Sequence, residues 1–156
     1  MDGSEGKDGQ QAANPLFAVW SGTSPIVELI GHRVTAVEPG YARVELDVRE
    51  AHCNRGGGVH GGIYCVLMDT VGGFAGVHTT DPDDLKTFIT LTLTTNYLGQ
   101  PKGQRMIATG RLRTGGRSTF FTDMEVHDEL GNLLATGSGV FKYRPLKRPA
   151  PAEGKP

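Results

Sequence analysis

The stretch Asn54-Arg55-Gly56-Gly57-Gly58-Val59-His60-Gly61-Gly62 leads directly into the longest helical pattern in the chain. Apolar residues at positions 63, 66, 67, 71 and 74 recur at helical spacing, which predicts one helix from Ile63 to about Val77 with a continuous buried stripe. Glycines before a helix let the backbone turn tightly and leave the first helical N–H groups uncovered. Together with the helix dipole, these N–H groups favour an anion or a polarised carbonyl oxygen.

Asp69 interrupts the apolar stripe of this helix. A carboxylate among apolar neighbours is costly to bury unless it is paired or takes part in chemistry. Gly61 and Asp69 are eight residues apart, which is about 12 Å along a helix axis. A carbonyl and the group that attacks it must approach to about 3–3.5 Å. If both residues are catalytic, the site therefore needs two antiparallel copies of the helix, related by the two-fold axis of a dimer.

The rest of the chain is dominated by strand patterns. Alternating apolar and polar residues predict a hairpin at Pro39-Gly40, and runs rich in Thr, Val, Leu and Ile predict four later strands. Asn14-Pro15 and Ser24-Pro25 are typical starts of short helices, the second of which ends before Gly31. The predicted strands are 33–38, 42–49, 88–97, 106–113, 118–127 and 133–143. This order predicts an α+β fold, an antiparallel sheet with one long helix packed across a face.

Composition narrows the function classes. The chain has 156 residues, with 16 Lys and Arg against 17 Asp and Glu. The length suits one domain, for which we expect residues 14–144, with disordered tails at 1–13 and 145–156. The charge balance gives no basic excess for nucleic acid, and no apolar run is long enough for a membrane span. Two cysteines and no secretory signal favour a cytoplasmic protein.

The motif Asn54, His60-Gly61-Gly62 and Asp69 resembles the signature of PaaI-type acyl-CoA thioesterases of the 4HBT superfamily, which have the hotdog fold. Weaker similarities to the same family are Glu38-Pro39-Gly40, the spacing of Thr90 from Tyr97, Gly116-Arg117-Ser118 and residues 131–137. The resemblance implies an antiparallel sheet wrapped around one long central helix. It also implies hydrolysis of a small or aromatic acyl-CoA by a homodimer, with pairing of dimers into a homotetramer.

The resemblance also implies roles for individual residues. Asp69 is the nucleophile or the general base toward water, and the Gly61 N–H polarises the thioester carbonyl. Asn54 orients the carbonyl or the water, Thr90 assists the water, and His60 supports the loop. The implied contacts to the acyl-CoA are Gly62, Arg113, Gly116, Arg117 and Ser118, with Arg117 the best match for the nucleotide phosphates. Such chemistry needs an oxyanion site and an activated nucleophile, and we expect no metal and no cofactor beyond the CoA of the substrate.

Other interpretations remain open from the sequence. Asp69 can be a structural carboxylate paired with an Arg, His60 can donate a ring N–H to a carbonyl, and Cys65 fits a small core residue. Gly72-Gly73 can make room for an acyl group or for close helix packing. At the level of the whole protein, the alternatives are a non-catalytic acyl-CoA-binding or regulatory module and a hotdog hydratase or dehydratase. The latter pair a catalytic His with an acidic residue in motifs that this chain lacks.

Overall fold

Six antiparallel strands form a single sheet that curves around one long helix. The computed structural model describes residues 24–146. In chain order its elements are α1 (Pro25–Ile30), β1 (Arg33–Glu38), β2 (Tyr41–Asp47), a 3₁₀ turn (Glu50–His52), α2 (Gly61–Ala75), β3 (Lys86–Tyr97), β4 (Arg105–Gly115), β5 (Thr119–Asp128) and β6 (Leu133–Pro145). The strand order is β1-β2-β4-β5-β6-β3, and α2 contacts all six strands. The predicted α+β architecture is confirmed.

The predicted elements within the described residues are all present, with differences at their ends. Helix α1 ends where Gly31 adopts a left-handed φ of 80° and its N–H donates to the Val27 carbonyl at 2.6 Å, a conformation that favours glycine. Helix α2 begins two residues earlier than predicted, because the His60 side chain caps it, and it ends at Ala75. Strand β2 stops at Asp47 because the chain turns into the 3₁₀ segment. The helix expected after Asn14-Pro15 lies outside the described residues.

The C-terminal strand extends further than the sequence analysis placed it. Strand β6 includes Pro145, and the Leu146 N–H donates to the Leu85 carbonyl at 3.0 Å. Pro145 therefore belongs to the sheet and not to the tail, and Leu146 is held next to it by a backbone hydrogen bond. The other residues assigned to the tails, 1–13 and 147–156, lie outside the described part of the chain.

Two helical glycines bring α2 into close contact with the sheet. A side-chain carbon on Gly72 would overlap Met124 and crowd Phe141, and one on Gly73 would overlap the ring of Phe88. The Phe88 ring packs edge-to-face against Phe74 and Phe141, with centroids 5.7 Å apart in both pairs. The space beside these glycines is therefore filled by the chain itself, which decides between the two interpretations of Gly72-Gly73 in favour of close packing.

The contact at Gly73 gives a stability prediction. We expect Gly73→Ala to destabilise the fold by about 1–3 kcal/mol, because overpacking at Phe88 outweighs the gain of about 1 kcal/mol in helix propensity. Gly99→Ala is the control, since its new carbon meets only the Leu133 carbonyl at 3.9 Å. Urea unfolding measures both variants. A Gly73→Ala protein as stable as the parent would contradict this account of the packing.

Candidate active site

Three residues spaced by one helical turn form a row along one face of α2. Gly61, Cys65 and Asp69 are at positions i, i+4 and i+8 of an unbroken helix, and all three are partly exposed. The buried face lies elsewhere and consists of Ile63, Tyr64, Leu67, Met68, Val71, Gly72, Phe74 and Ala75 together with Gly73. The expectation that Asp69 interrupts the buried stripe is therefore wrong. Asp69 lies on the accessible side of the helix, because the buried face is rotated toward Tyr64 and Met68.

The Asp69 carboxylate contacts strand β3. The Thr90 hydroxyl donates to Asp69 Oδ1 at 2.6 Å. Asp69 makes no ion pair with any of residues 24–146. It is therefore not a structural carboxylate paired with an Arg of this part of the chain. Its second oxygen, Oδ2, is left without a hydrogen-bond partner among the same residues. The arrangement presents one fixed and one available carboxylate oxygen.

The N-terminus of α2 has one available amide. The His60 side chain accepts a hydrogen bond at Nδ1 from the Gly62 N–H at 2.9 Å, and the His60 carbonyl accepts from the Ile63 N–H at 2.9 Å. The Gly61 N–H donates to no acceptor within residues 24–146. The His60 side chain thus caps the helix start, with its Nδ1 as an acceptor. The capping removes Gly62 as a donor and leaves the Gly61 N–H as a potential carbonyl contact.

The glycine-rich loop before α2 is closed by its own hydrogen bonds. Asn54 Oδ1 accepts from the Gly56 N–H at 2.9 Å, and the Asn54 N–H donates to the Gly58 carbonyl at 2.8 Å. This fixes Asn54 and leaves its side-chain NH₂ group as a donor. Gln100, after β3, holds the loop from the other side, because its Oε1 accepts from the Val59 N–H at 2.7 Å. Gln100 was not predicted from the sequence, because no spacing rule connects it to the loop.

Tyr97 covers the start of α2. A side-chain carbon on Gly61 would lie 3.4 Å from Tyr97 Cε1 and 3.6 Å from its hydroxyl oxygen. The hydroxyl is 3.0 Å from Cys65 Sγ, and the ring meets Tyr64 edge-to-face at 5.8 Å. The bond with Cys65 raises the pKa of Tyr97 and the Thr95 hydroxyl lowers it, which leaves the pKa above its usual value. The expectation that Cys65 is a core residue is wrong, since it is partly exposed and contacts Tyr97.

The two arginines expected at the CoA phosphates have different surroundings. Arg113 forms a bidentate ion pair with Asp123, with Nε–Oδ2 and Nη2–Oδ1 distances of 2.8 and 2.7 Å. Arg117 is exposed in the β4–β5 turn and has no partner within residues 24–146. The same turn uses backbone groups of its neighbours, since the Gly116 N–H donates to Thr119 and the Ser118 carbonyl accepts from Tyr143. Of these two arginines, only Arg117 has a guanidinium that is available to a phosphate.

Register places the β4–β5 turn at the Thr90 end of the sheet. Thr119, the first residue of β5, pairs with Lys142 of β6, and Lys142 pairs in turn with Ile89 of β3. Ile89 precedes Thr90 in β3, and β6 lies between β3 and β5, so Arg117 and the Asp69–Thr90 contact lie toward the same end of the sheet on strands two positions apart. Asp69 lies in the middle of α2, eight residues from Gly61 at its start.

Two further properties of the described residues concern membranes and metals. None of the helices in residues 24–146 is long and apolar enough to cross a membrane. The same residues contain no group of three or more His, Cys, Asp or Glu side chains arranged to hold a metal ion.

Comparison with known proteins agrees with the fold and the motif. The model of the thioesterase superfamily matches residues 56–135, just over half of the chain and including both Gly61 and Asp69. The chain belongs to the thioesterase superfamily, and it is a hydrolase of thioesters. Among curated relatives, it is 29% identical over 107 residues to a 1,4-dihydroxy-2-naphthoyl-CoA hydrolase of Listeria monocytogenes, covering 69% of this chain and 85% of the relative. It is also 29% identical over 136 residues to a putative esterase of Pseudomonas aeruginosa, covering 81% and 91%.

Solved structures show the same architecture. A conserved protein of Pseudomonas aeruginosa superposes with a TM-score of 0.71 at 29% identity, covering 78% of this chain and 95% of the other. The E. coli PaaI protein of the phenylacetic acid degradation operon superposes with a TM-score of 0.70 at 18% identity, covering 82% and 92%. The expected hotdog fold and the resemblance to PaaI-type thioesterases are confirmed.

Proposed function

We propose that this thioester hydrolase cleaves an acyl-CoA to the free acid and CoA, with Asp69 of one subunit acting on a carbonyl held by Gly61 of another. The observation that carries the proposal is the 2.6 Å bond from Thr90 to Asp69 at one end of the exposed row, with the uncommitted Gly61 N–H at the other. Continuous helix between the two residues keeps them about 12 Å apart in one chain. A two-fold axis beside the row of Gly61, Cys65 and Asp69 brings Gly61 of each subunit close to Asp69 of the other.

The exposed edge of the sheet supports a dimer. Strand β3 is an edge strand with no neighbour on one side within the described residues. It carries exposed apolar side chains, since Ile89 and Leu91 are 41% and 49% exposed, and Leu98 directly after it is 58% exposed. An unprotected apolar edge strand is a template for pairing with another strand. A second copy on this edge covers these side chains and brings the two α2 rows together, and pairing of such dimers gives the homotetramer that the family resemblance implies.

The chemistry can follow two routes from the same geometry. With Asp69 as general base, Oδ2 takes a proton from water as the water oxygen bonds to the thioester carbon. With Asp69 as nucleophile, Oδ2 bonds to that carbon, CoA thiolate leaves, and water hydrolyses the resulting anhydride. In both routes the carbonyl electron pair moves to oxygen, where the Gly61 N–H stabilises it, and the thiolate leaves with the pair of the C–S bond and is then protonated.

The remaining polar groups fit supporting roles. Thr90 fixes Oδ1 and keeps lone pairs that can accept from the attacking water. The free NH₂ of Asn54 is a donor for the carbonyl or the water, and His60 keeps α2 capped. Asp69 supplies the proton acceptor, and the Gly61 N–H donates to the carbonyl oxygen. We therefore propose that the reaction uses no metal or further cofactor. We also propose that the protein acts in the cytoplasm.

The acyl group we propose is aromatic or small. An aromatic substrate is supported by the similarity to the Listeria relative, a 1,4-dihydroxy-2-naphthoyl-CoA hydrolase. The test is release of free thiol from acetyl-, hexanoyl-, lauroyl-, benzoyl- and phenylacetyl-CoA. We expect turnover that is fastest with the aromatic or short chains. Tight CoA binding without thiol release from any member of the panel would reject hydrolysis and establish the non-catalytic binding module instead.

Arg117 is the side chain that we propose for the CoA phosphates. We expect Arg117→Ala to raise the KM for an acyl-CoA about tenfold with kcat nearly unchanged, since one charge-assisted contact contributes about 1.5–3 kcal/mol. Arg113→Ala should have a smaller effect because that guanidinium is engaged by Asp123. Steady-state kinetics with the matching acyl-pantetheine, which lacks the nucleotide, provide the control. The KM difference should vanish there, and an equal KM difference on both substrates would contradict the assignment.

A further inference from the structure

The start of α2 offers a single free backbone donor to a carbonyl oxygen. His60 occupies both the Gly62 and the Ile63 amides, so the helix end offers only the Gly61 N–H. A carbonyl oxygen that becomes negatively charged in a transition state gains from every preorganised donor aimed at it. A further donor beside Gly61 would have to come from a neighbouring side chain.

The nearest hydroxyl at this position belongs to Tyr97. Its ring lies over Gly61, and its hydroxyl oxygen is 3.6 Å from the point where a Gly61 side-chain carbon would be. Contact with Tyr64 fixes the ring, and Tyr64 is itself buried and anchored by a 3.0 Å hydrogen bond to the Gly99 carbonyl. Tyr97 itself is 53% exposed, so the residue that covers Gly61 is within reach of a ligand.

We infer that Tyr97 is a catalytic residue that donates its hydroxyl hydrogen bond to the thioester carbonyl oxygen, alongside the Gly61 N–H. The inference rests on the proposed hydrolysis at Gly61. The hydroxyl shares a hydrogen bond with Cys65 Sγ in which either group can donate. A thiol is both a weak donor and a weak acceptor, so a charged oxygen readily replaces it as the partner of the hydroxyl. The raised pKa of Tyr97 keeps the hydroxyl protonated and able to donate.

The role differs from that of a packing residue in what it does to the two kinetic constants. A bond that strengthens as charge develops on the oxygen lowers the barrier without a comparable effect on substrate binding. We therefore expect Tyr97→Phe to lower kcat about 10- to 100-fold, somewhat less than the loss of a rigid backbone donor, with KM changed less than about threefold. The Phe ring keeps the contacts with Gly61 and Tyr64, so the melting temperature should stay close to that of the parent.

Cys65→Ala is the matched variant. It removes the partner of the hydroxyl in the free enzyme but no group that we place at the carbonyl, so kcat should remain within about threefold of the parent. If Cys65→Ala reproduced the loss seen in Tyr97→Phe, the hydroxyl would act through the thiol and the inference would be overturned. Full kcat in Tyr97→Phe would overturn it as well.

Asp69→Asn, assayed in the same series, separates this inference from the proposed function. If the parent releases thiol and Asp69→Asn does not, the proposed hydrolysis stands whatever Tyr97→Phe shows. If the parent releases no thiol from any acyl-CoA, the proposed function and this inference fall together.

Discussion

Asp69→Asn should reduce the kcat for acyl-CoA hydrolysis by about 10³-fold or more while leaving the fold and the oligomer intact. The amide has the same shape and can still accept the Thr90 hydrogen bond at its oxygen. It can neither take a proton from water nor attack a carbonyl, and loss of a general base alone costs about 10²–10⁴-fold. Released thiol measures the rate, and light scattering measures the oligomer.

Asp47→Asn is the control for this substitution. Asp47 is also a half-exposed aspartate, but it lies on the outer face of β2 in ion pairs with Arg33 and Arg105. Its replacement should leave kcat unchanged, because exposed ion pairs contribute little to stability and the residue is on the opposite side of the sheet from α2. Undiminished turnover in Asp69→Asn would reject Asp69 as nucleophile and as base.

Gly61→Pro should abolish most of the activity, because proline has no backbone N–H to donate to the carbonyl oxygen. Proline is accepted at the first position of a helix, where its fixed φ suits the helix and its missing N–H breaks no internal bond. His60 already has φ of −66° and ψ of 136°, the extended conformation that a residue before proline adopts. The loss of one oxyanion donor lowers kcat about 10²–10³-fold. Circular dichroism should show the helix unchanged.

Gly61→Ala isolates the N–H from the added atoms. Its side-chain carbon would meet Tyr97 at 3.4 Å, an ordinary contact, and the alanine keeps its N–H. We expect kcat within about threefold of the parent, in contrast to the proline variant. If alanine and proline were equally inactive, bulk at this position and not the donor would explain the loss.

The two inactive variants together test whether the site is shared. In a mixed dimer of Gly61→Pro and Asp69→Asn subunits, one site receives both altered residues and the other receives an intact Gly61 and an intact Asp69. Refolding an equal mixture should therefore restore about one quarter of the parent activity, since half of the dimers are mixed and each carries one working site. If both residues of a site came from the same chain, mixing would restore nothing.

Local signals in the sequence were sufficient for the elements and for half of the site. Pro25 and Gly31 bound α1, and the glycine-rich loop marks the start of α2 to within two residues. The spacing of Thr90 from Tyr97, combined with the family resemblance, singled out Thr90 as a group that assists the water, and in the structure its hydroxyl donates to Asp69. These features depend on residues close in sequence or on a motif with fixed spacing.

Features that depend on long-range packing could not be predicted in this way. Nothing local puts β3 beside β6 at the far edge of the sheet, since that order arises from pairing between residues 38 to 59 positions apart in the chain. The predicted stripe of Ile63, Leu67, Val71 and Phe74 is buried, but the sequence did not show that the face extends to Gly72 and Gly73, which carry no apolar side chain and yet pack closely against the sheet. The contact of Cys65 with Tyr97 requires both the helix phase and the strand position to be known.

The spacing of the row on α2 has a consequence for the middle of the proposed dimer. Cys65 is four residues from Gly61 and four from Asp69. A two-fold axis that places Gly61 opposite the partner's Asp69 therefore also places Cys65 opposite the partner's Cys65. The two thiols then lie beside the two-fold axis, midway between the two reaction centres. Any substitution of Cys65 therefore occurs twice beside the axis, once in each subunit. A bulky side chain there pushes apart both pairs of reacting groups at once.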